Sequence, residues 1–188
     1  MPTPRGERIR AARLIQRDQL FPDSEGKVWS VARVGYNPIP RILPLLSHLF
    51  EGKEEGNPTR VYFELWCRAY DVGFAEIRSE EEAAYASGYT GQRAVRTWRN
   101  HIAKLKRLGF IEIAPRGNLK NGFILLHDPF RVVARKMKMG LLPQFWIAAF
   151  HSRCLEVGTK LPPQLVAAIE ADTARRKKQA RKSPHRTP

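Results

Sequence analysis

The sequence has few of the residues that build metal or disulfide centres. Its 188 residues include two cysteines and five histidines, all scattered, which argues against a disulfide scaffold and against a zinc cluster. A glycine-rich phosphate loop and a Gly-x-Ser-x-Gly motif are also missing. We therefore expect no metal, no cofactor, no small-molecule ligand and no catalytic activity.

Long hydrophobic runs are missing as well. The longest apolar stretch, residues 140–150, is interrupted by Pro143 and Gln144, and it is shorter than the roughly 20 apolar residues that span a bilayer. The first residues are basic but have no apolar segment of the kind found in a secretory signal. These absences predict a cytoplasmic protein without a membrane partner.

Acidic residues are scarce relative to basic ones. The 33 Lys and Arg against 18 Asp and Glu give a net charge of +15 and a pI near 10.4, a balance that indicates a polyanionic partner. Residues 1–17 contain five basic residues and one acidic residue, and residues 175–188 contain seven basic residues and none acidic. The second segment is either a solubilising tail or a non-specific phosphate-binding arm, formed by Arg175, Arg176, Lys177, Lys178, Arg181 and Lys182.

Three regions follow from the pattern along the chain. Residues 1–27 form a basic N-terminal arm, residues 28–160 a folded domain, and residues 161–188 a C-terminal helix with a basic disordered tail. The helix is predicted over 164–180, and the basic segment from Arg175 onward is either disordered or a frayed helix end. Within the domain, alternating residues at 28–34 indicate a short strand. The periodicity of 39–50 indicates a helix, in which Pro44 marks a kink or a later start.

The middle of the domain contains the most informative order of elements. A helix from about Arg60 to Tyr70 and a strand at 74–78 precede a capping box, in which Ser79 is followed three residues later by Glu82. Gly88 ends the capped helix. A short turn leads into a long helix over 91–109, capped by Thr90 or Gly91, and two strands then flank the loop 116–122. This order is typical of a winged helix-turn-helix, so we expect a mainly α fold with a small β wing and extra flanking helices.

The long helix has two different faces. Val95, Trp98, Ile102 and Leu105 recur at helical spacing and predict a core face. The segment 91–109 has six Lys and Arg but no acidic residue, whereas a helix that is merely solvated usually carries both signs. This absence of acid favours a nucleic-acid contact.

The residue types on the other face fit double-stranded DNA. Arg can bind guanine and Asn can bind adenine through two hydrogen bonds, and the start of such a helix meets base edges. Basic and amide groups of the wing would lie along the backbone or the minor groove. The DNA contacts predicted in this way are Thr90, Gln92, Arg93, Arg96, Thr97, Arg99, Asn100, Lys104, Arg107, Arg116, Asn118, Lys120 and Asn121.

Two other kinds of partner stay open. A helix-turn-helix can serve as a scaffold for protein contacts, and the basic composition also suits RNA, although no aromatic β-platform motif is visible in the sequence. The helices predicted within residues 130–157 carry large apolar residues on nearly all sides. They either pack on residues 28–70 as one core or form a homodimer interface, and the pattern slightly favours the dimer.

The run Ser87-Gly-Tyr-Thr-Gly-Gln-Arg-Ala-Val-Arg-Thr-Trp-Arg, with Leu105 and the later Leu-Gly-Phe-Ile at 108–111, resembles winged helix-turn-helix DNA-binding proteins of proteobacterial plasmids and mobile elements. The similarity covers about residues 60–130. It implies a sequence-specific DNA-binding protein, associated with the nucleoid or a plasmid, that regulates transcription or supports plasmid replication or maintenance. The chain has no recognisable effector-binding domain, so the resemblance implies no effector.

Overall fold

The computed structural model describes residues 39–50, 56–69, 73–158, 161 and 163–182, together with the single positions 8, 11 and 15. Most of these residues are helical, and a small three-stranded antiparallel sheet accompanies the helices. This confirms the predicted mainly α class with a small β part. Apart from the three single positions, the predicted N-terminal arm and the strand predicted at 28–34 lie outside the described residues.

The described core begins with two short helical segments. Helix α1 (Leu43–Leu46) continues directly into a 3-10 turn (Ser47–Phe50). Pro44 lies in the first turn of α1, where the backbone N–H that proline lacks would have no partner within the helix. Of the two roles predicted for Pro44, the later helix start is the observed one. Helix α2 (Thr59–Arg68) follows, and the Asn57 side chain accepts the Thr59 backbone N–H at 2.9 Å.

A strand and two helices come next: β1 (Phe74–Glu76), α3 (Glu80–Ala86) and α4 (Ala94–Arg107). The predicted cap is confirmed, because Ser79 Oγ accepts the Glu82 N–H at 3.1 Å. The predicted start of α4 at Gly91 is wrong by three residues, and no side chain caps it. Gly91 has φ +80 and Gly88 has φ +81, and this left-handed conformation keeps the connecting turn out of the helix.

The remaining strands, β2 (Ile111–Arg116) and β3 (Leu119–Leu126), form a tight hairpin. The sheet order is β1-β3-β2, and Arg116 pairs with Leu119 across a turn of only two residues, Gly117 and Asn118. The loop predicted over 116–122 is therefore too long. Its basic and amide residues do not all lie at the tip, because Lys120 and Asn121 belong to β3.

Three helices complete the described chain: α5 (Pro129–Lys138), α6 (Gln144–Glu156) and α7 (Pro163–Lys182). Asp128 caps α5 by accepting the Phe130 N–H at 2.9 Å, as predicted. Helix α7 continues through Lys182, two residues beyond the helix predicted over 164–180, so of the two states predicted for the basic segment the helical one is observed up to residue 182. Arg, Lys, Gln and Ala are good helix formers, and they extend α7 once its first turns are packed.

One hydrophobic core joins these elements. Phe50, Tyr62 and Phe110 pack edge to face with ring centroids 4.9–5.5 Å apart, and Trp98 of α4 is fully buried. Helix α6 belongs to the same core, because Trp146 Nε1 donates to the Leu45 carbonyl at 3.1 Å. Of the two alternatives for residues 130–157, packing into the core is observed, and the homodimer stays a prediction. Among the described helices, none is long and apolar enough to cross a membrane.

Candidate nucleic-acid interface

The predicted two faces of α4 are largely present. Trp98, Ile102 and Leu105 are buried, whereas Val95 is only half-buried. The exposed side chains of the helix and its N-cap residue recur at three- and four-residue spacing, include no acidic residue, and are here called the basic face: Arg93, Arg96, Arg99, Asn100, Ala103, Lys106 and Arg107.

Lys104 does not lie on the basic face, so its predicted placement is wrong. Lys104 is only 5% exposed, and its Nζ donates to the Gly56 carbonyl at 2.7 Å. The chain just before α2 covers this flank of α4, and His101 is buried there as well. The buried stripe is therefore wider than the four apolar residues indicated, and Lys104 cannot reach a ligand on the basic face.

Lys106 was missed in the sequence analysis. It is exposed and lies three residues beyond Ala103, on the same side of α4 as Arg99. The signal was available, since the spacing 99, 103, 106 follows one side of a helix. The sequence indicates Lys104 instead, because the burial of Lys104 depends on a long-range contact with Gly56 that the sequence does not show.

A buried carboxylate connects the basic face to the hairpin. Glu80 is 3% exposed. Arg99 Nε donates to its Oε2 at 2.7 Å, and Asn121 Nδ2 donates to its Oε1 at 2.7 Å. A second hydrogen bond joins Arg99 Nη2 to the same carboxylate. The hydrogen bond to Glu80 raises the pKa of Arg99 above its usual value. Helices α3 and α4 and strand β3 are thereby fixed relative to one another.

This connection changes what two predicted DNA contacts can contribute. The Arg99 side chain is still 58% exposed, but its positive charge is already offset by Glu80. Asn121 is half-buried on β3 instead of lying at the tip of the hairpin, as predicted. Its amide donates to Glu80 of the same chain. The turn of the hairpin is made by Gly117 and Asn118 alone.

The hairpin presents fewer free basic groups than its sequence indicates. Arg116 Nε lies 2.8 Å from Glu76 Oε1 across the sheet. Asn118 in the turn and Lys120 on β3 are exposed. A Cβ on Gly122 would lie 2.2 Å from Arg116 Cβ, so the backbones approach too closely here for any other residue. The tight register holds Asn118 and Lys120 at one end of the sheet.

The other predicted DNA contacts differ in their exposure. Thr90, Gln92, Arg93, Arg96, Asn100 and Arg107 are exposed, and Thr97 is half-buried. These residues all lie on α4 or on the turn before it. The structure therefore brings most of the predicted base-contacting side chains to one continuous surface.

The C-terminal basic residues are divided between packing and solvent. Arg175 Nη2 donates to Asp172 Oδ1 at 2.7 Å, and its guanidinium lies over Gly140. Arg175, which was predicted as part of the phosphate arm, is therefore also a packing residue. Lys178 is exposed, and the side chains of Arg176, Lys177, Arg181 and Lys182 lie outside the described ones.

Other reactive groups are isolated. Cys67 is exposed and Cys154 is buried, and burial raises the pKa of the Cys154 thiol to about 11. Within the described residues, no group of three or more His, Cys, Asp or Glu side chains could hold a metal ion. Neither observation identifies a reaction.

Comparison with known proteins adds no family to this geometry. No protein-family model, no curated protein and no solved structure matches the chain. The arrangement of residues 59–126 is therefore the basis on which a function can be inferred.

Proposed function

We propose that residues 59–126 form a winged helix-turn-helix that binds double-stranded DNA with sequence specificity. The order of elements supports this proposal: helix, strand, helix, turn, helix, and a two-stranded hairpin whose second strand pairs with the first strand of the unit. In such a unit the second helix of the helix-turn-helix enters the major groove. That helix is α4.

The observation that carries the proposal is the acid-free basic face. Arg93, Arg96 and Asn100 are exposed near the start of α4, and Lys106 and Arg107 are exposed near its end. Arg and Asn can each form two hydrogen bonds with one base, so the first group suits base edges and the second suits phosphates. A face that served only solubility would carry both signs of charge.

The hairpin supplies the second contact in this account. Asn118 and Lys120 are exposed at its end, and amide and ammonium groups there would contact the DNA backbone or the minor groove. Glu80 fixes the hairpin to α4 through Arg99 and Asn121. The two contacts would thus meet the duplex at a set spacing, which favours one docked orientation over many.

The biological role that we propose is regulation of transcription or support of plasmid replication or maintenance. It rests on the resemblance of residues 60–130 to DNA-binding proteins of plasmids and mobile elements. Nucleoid or plasmid association and a homodimer that reads two half-sites belong to the same proposal. Half-sites of such dimers lie roughly 34 Å apart, one turn of the double helix.

The test is a fluorescence-anisotropy titration at two salt concentrations. The ligands are a duplex from upstream of the gene, a scrambled duplex of equal length and a matched RNA. We expect the upstream duplex to bind more tightly than the others and to keep its advantage at the higher salt, because base contacts do not depend on counterion release. Equal binding to all three that disappears at the higher salt would leave only a polycation and would favour a protein partner.

One observation favours single-stranded nucleic acid as a second candidate ligand. Phe74 and Phe123 stack on the outer face of the sheet with ring centroids 5.6 Å apart, and Phe74 is 43% exposed. Exposed aromatic rings on a sheet are surfaces on which bases can stack. The sequence does not indicate this pair, because Phe74 and Phe123 are distant in sequence and only strand pairing brings the two rings together. Tighter binding of the matched RNA, lost in Phe74→Ala, would favour this candidate.

A further inference from the structure

A shallow cleft of about 560 Å³ lies where four parts of the fold meet. They are the 3-10 turn after α1, the start of α2, the turn before α4, and α4 itself. None of the lining residues is acidic: Ser47, Asn57, Thr59, Arg60, Tyr89 and His101. The volume is in the range of small-ligand sites, and hydroxyl, amide and cationic groups are the usual partners of phosphate oxygens.

The cleft carries positive charge at its edge and behind its wall. The Arg60 guanidinium lies along the turn before α4, since a Cβ on Gly88 would be 3.4 Å from Arg60 Nη1. The buried ammonium of Lys104 donates to the carbonyl of Gly56, the residue before Asn57 of the lining. Lys104 lies one helical turn beyond His101. A charge buried in this way is screened only weakly by solvent, so it attracts anions into the cleft.

The inner wall is held by a hydrogen bond between two ring systems. Tyr89 Oη lies 2.8 Å from His101 Nδ1, and the ring centroids are 5.4 Å apart. Burial raises the pKa of Tyr89, and the positive charge of Arg60 lowers it in part. Arg60 is therefore close enough to the Tyr89 phenol to affect its pKa, and both residues line the cleft.

We propose that this cleft binds a phosphate group, supplied either by the DNA backbone or by a free phosphorylated compound. Arg60 would pair with the phosphate charge. The Asn57 amide donates one of its two protons to the Ser47 carbonyl and would donate the other to a phosphate oxygen. The hydroxyls of Ser47 and Thr59 already donate to Pro44 and Asn57 and would only line the cleft. If the phosphate belongs to the DNA backbone, the proposal rests on the proposed function, because the cleft includes Tyr89 of the turn before α4. If the phosphate belongs to a free compound, the proposal is independent of that function.

The experiment compares the full chain with Arg60→Gln and with Arg153→Gln. Arg60 is exposed, so its substitution leaves the core intact. Arg153 is an exposed arginine of α6 that pairs with Glu156, and it controls for the loss of one positive charge. Each protein is titrated with the upstream and scrambled duplexes over a range of salt. Each is then titrated with inorganic phosphate, followed by the backbone amide NMR shifts of Tyr89 and His101.

If the phosphate comes from DNA, Arg60→Gln weakens both duplexes on the order of tenfold and lowers the salt slope by about 0.9, whereas Arg153→Gln does neither. If it comes from a free compound, inorganic phosphate shifts both amides saturably in the wild type and not in Arg60→Gln. Unchanged duplex binding in Arg60→Gln, together with no saturable phosphate shift in the wild type, overturns the proposal. A wild type that binds phosphate but no duplex would refute the proposed function alone.

Discussion

At the scale of single residues, Lys104 and Lys106 show how two lysines of one helix serve different purposes. Lys104 is buried and donates to the Gly56 carbonyl at 2.7 Å. Lys106 is exposed on the basic face. The two side chains differ by only two positions, yet one joins α4 to the chain before α2 and the other faces solvent. Their substitutions should therefore affect different measurements.

We predict that Lys106→Ala weakens binding to all duplexes alike and lowers the salt slope by about 0.9, as the loss of one phosphate contact should. Lys104→Met should leave the salt slope unchanged, because the Lys104 ammonium donates to the Gly56 carbonyl and contacts no phosphate. It should instead lower the free energy of unfolding by about 1–3 kcal/mol, because the Gly56 carbonyl loses its donor. Anisotropy titrations and urea unfolding measure the two effects. A lower salt slope in a stably folded Lys104→Met would show that the assignment is wrong.

Glu64 gives a second prediction at this scale, for the dependence of stability on pH. Burial raises the pKa of Glu64 above 4.5, and the hydrogen bond with Arg68 lowers it in part. Because the folded state holds the Glu64 proton more tightly than the unfolded state, protonated Glu64 adds to the free energy of unfolding at low pH. This contribution is lost as pH rises from about the unfolded pKa through the folded pKa.

Compared with Glu64→Gln, the wild type should thus lose stability as pH increases above 4.5. Urea unfolding of both proteins between pH 4 and pH 7 (a range set by the roughly one-unit spread of carboxyl pKa values) measures the difference. Contributions from the other carboxylates cancel between the two proteins. A wild type that gains stability over Glu64→Gln with rising pH would mean that the ion pair with Arg68 outweighs burial.

At the scale of elements, the Glu80 carboxylate joins α3, α4 and β3. Arg99 and Asn121 donate to its two oxygens. We predict that Glu80→Ala and Asn121→Ala each lower the free energy of unfolding by about 1–3 kcal/mol, because each leaves a buried polar group without its partner. The double variant should lose less than the sum of the single losses. Strict additivity in urea unfolding would indicate that the two side chains do not interact.

The same elements show which features the sequence could predict. Short-range signals were sufficient for the Ser79 cap of α3 and the Asp128 cap of α5, since each depends on residues two or three positions apart. Helix α4 starts later than predicted because Gly91 adopts φ +80, a conformation that is incompatible with a right-handed helix. The burial of Lys104 and the bond between Asn121 and Glu80 could not be predicted, since they join segments 48 and 41 residues apart.

At the scale of the whole molecule, positive charge is spread beyond α4. The net charge is +15, and the last 14 residues contain seven basic residues. Helix α7 presents part of this charge on a rigid element, because Leu165 and Ala168 are buried in the core. Such charge adds affinity for any polyanion without distinguishing sequences.

We predict that a chain ending after Ala180 binds all duplexes more weakly and with a lower salt slope. This truncation removes Arg181, Lys182 and Arg186 but keeps Arg175 on Asp172. If each removed residue contacts one phosphate, the slope falls by up to about 2.7. The ratio of affinities for the upstream and scrambled duplexes should not change. A truncated chain with a lower ratio would assign base discrimination to the C-terminal segment.

The most direct test of the central claim is the effect of Arg96→Ala on base discrimination. Wild type and variant are titrated against the upstream duplex and its single base-pair substitutions. We expect the variant to lose about 1–3 kcal/mol of discrimination at one base pair and to keep it elsewhere, because Arg96 is exposed near the start of α4. The same preference at every base pair in both proteins would contradict base recognition by the basic face.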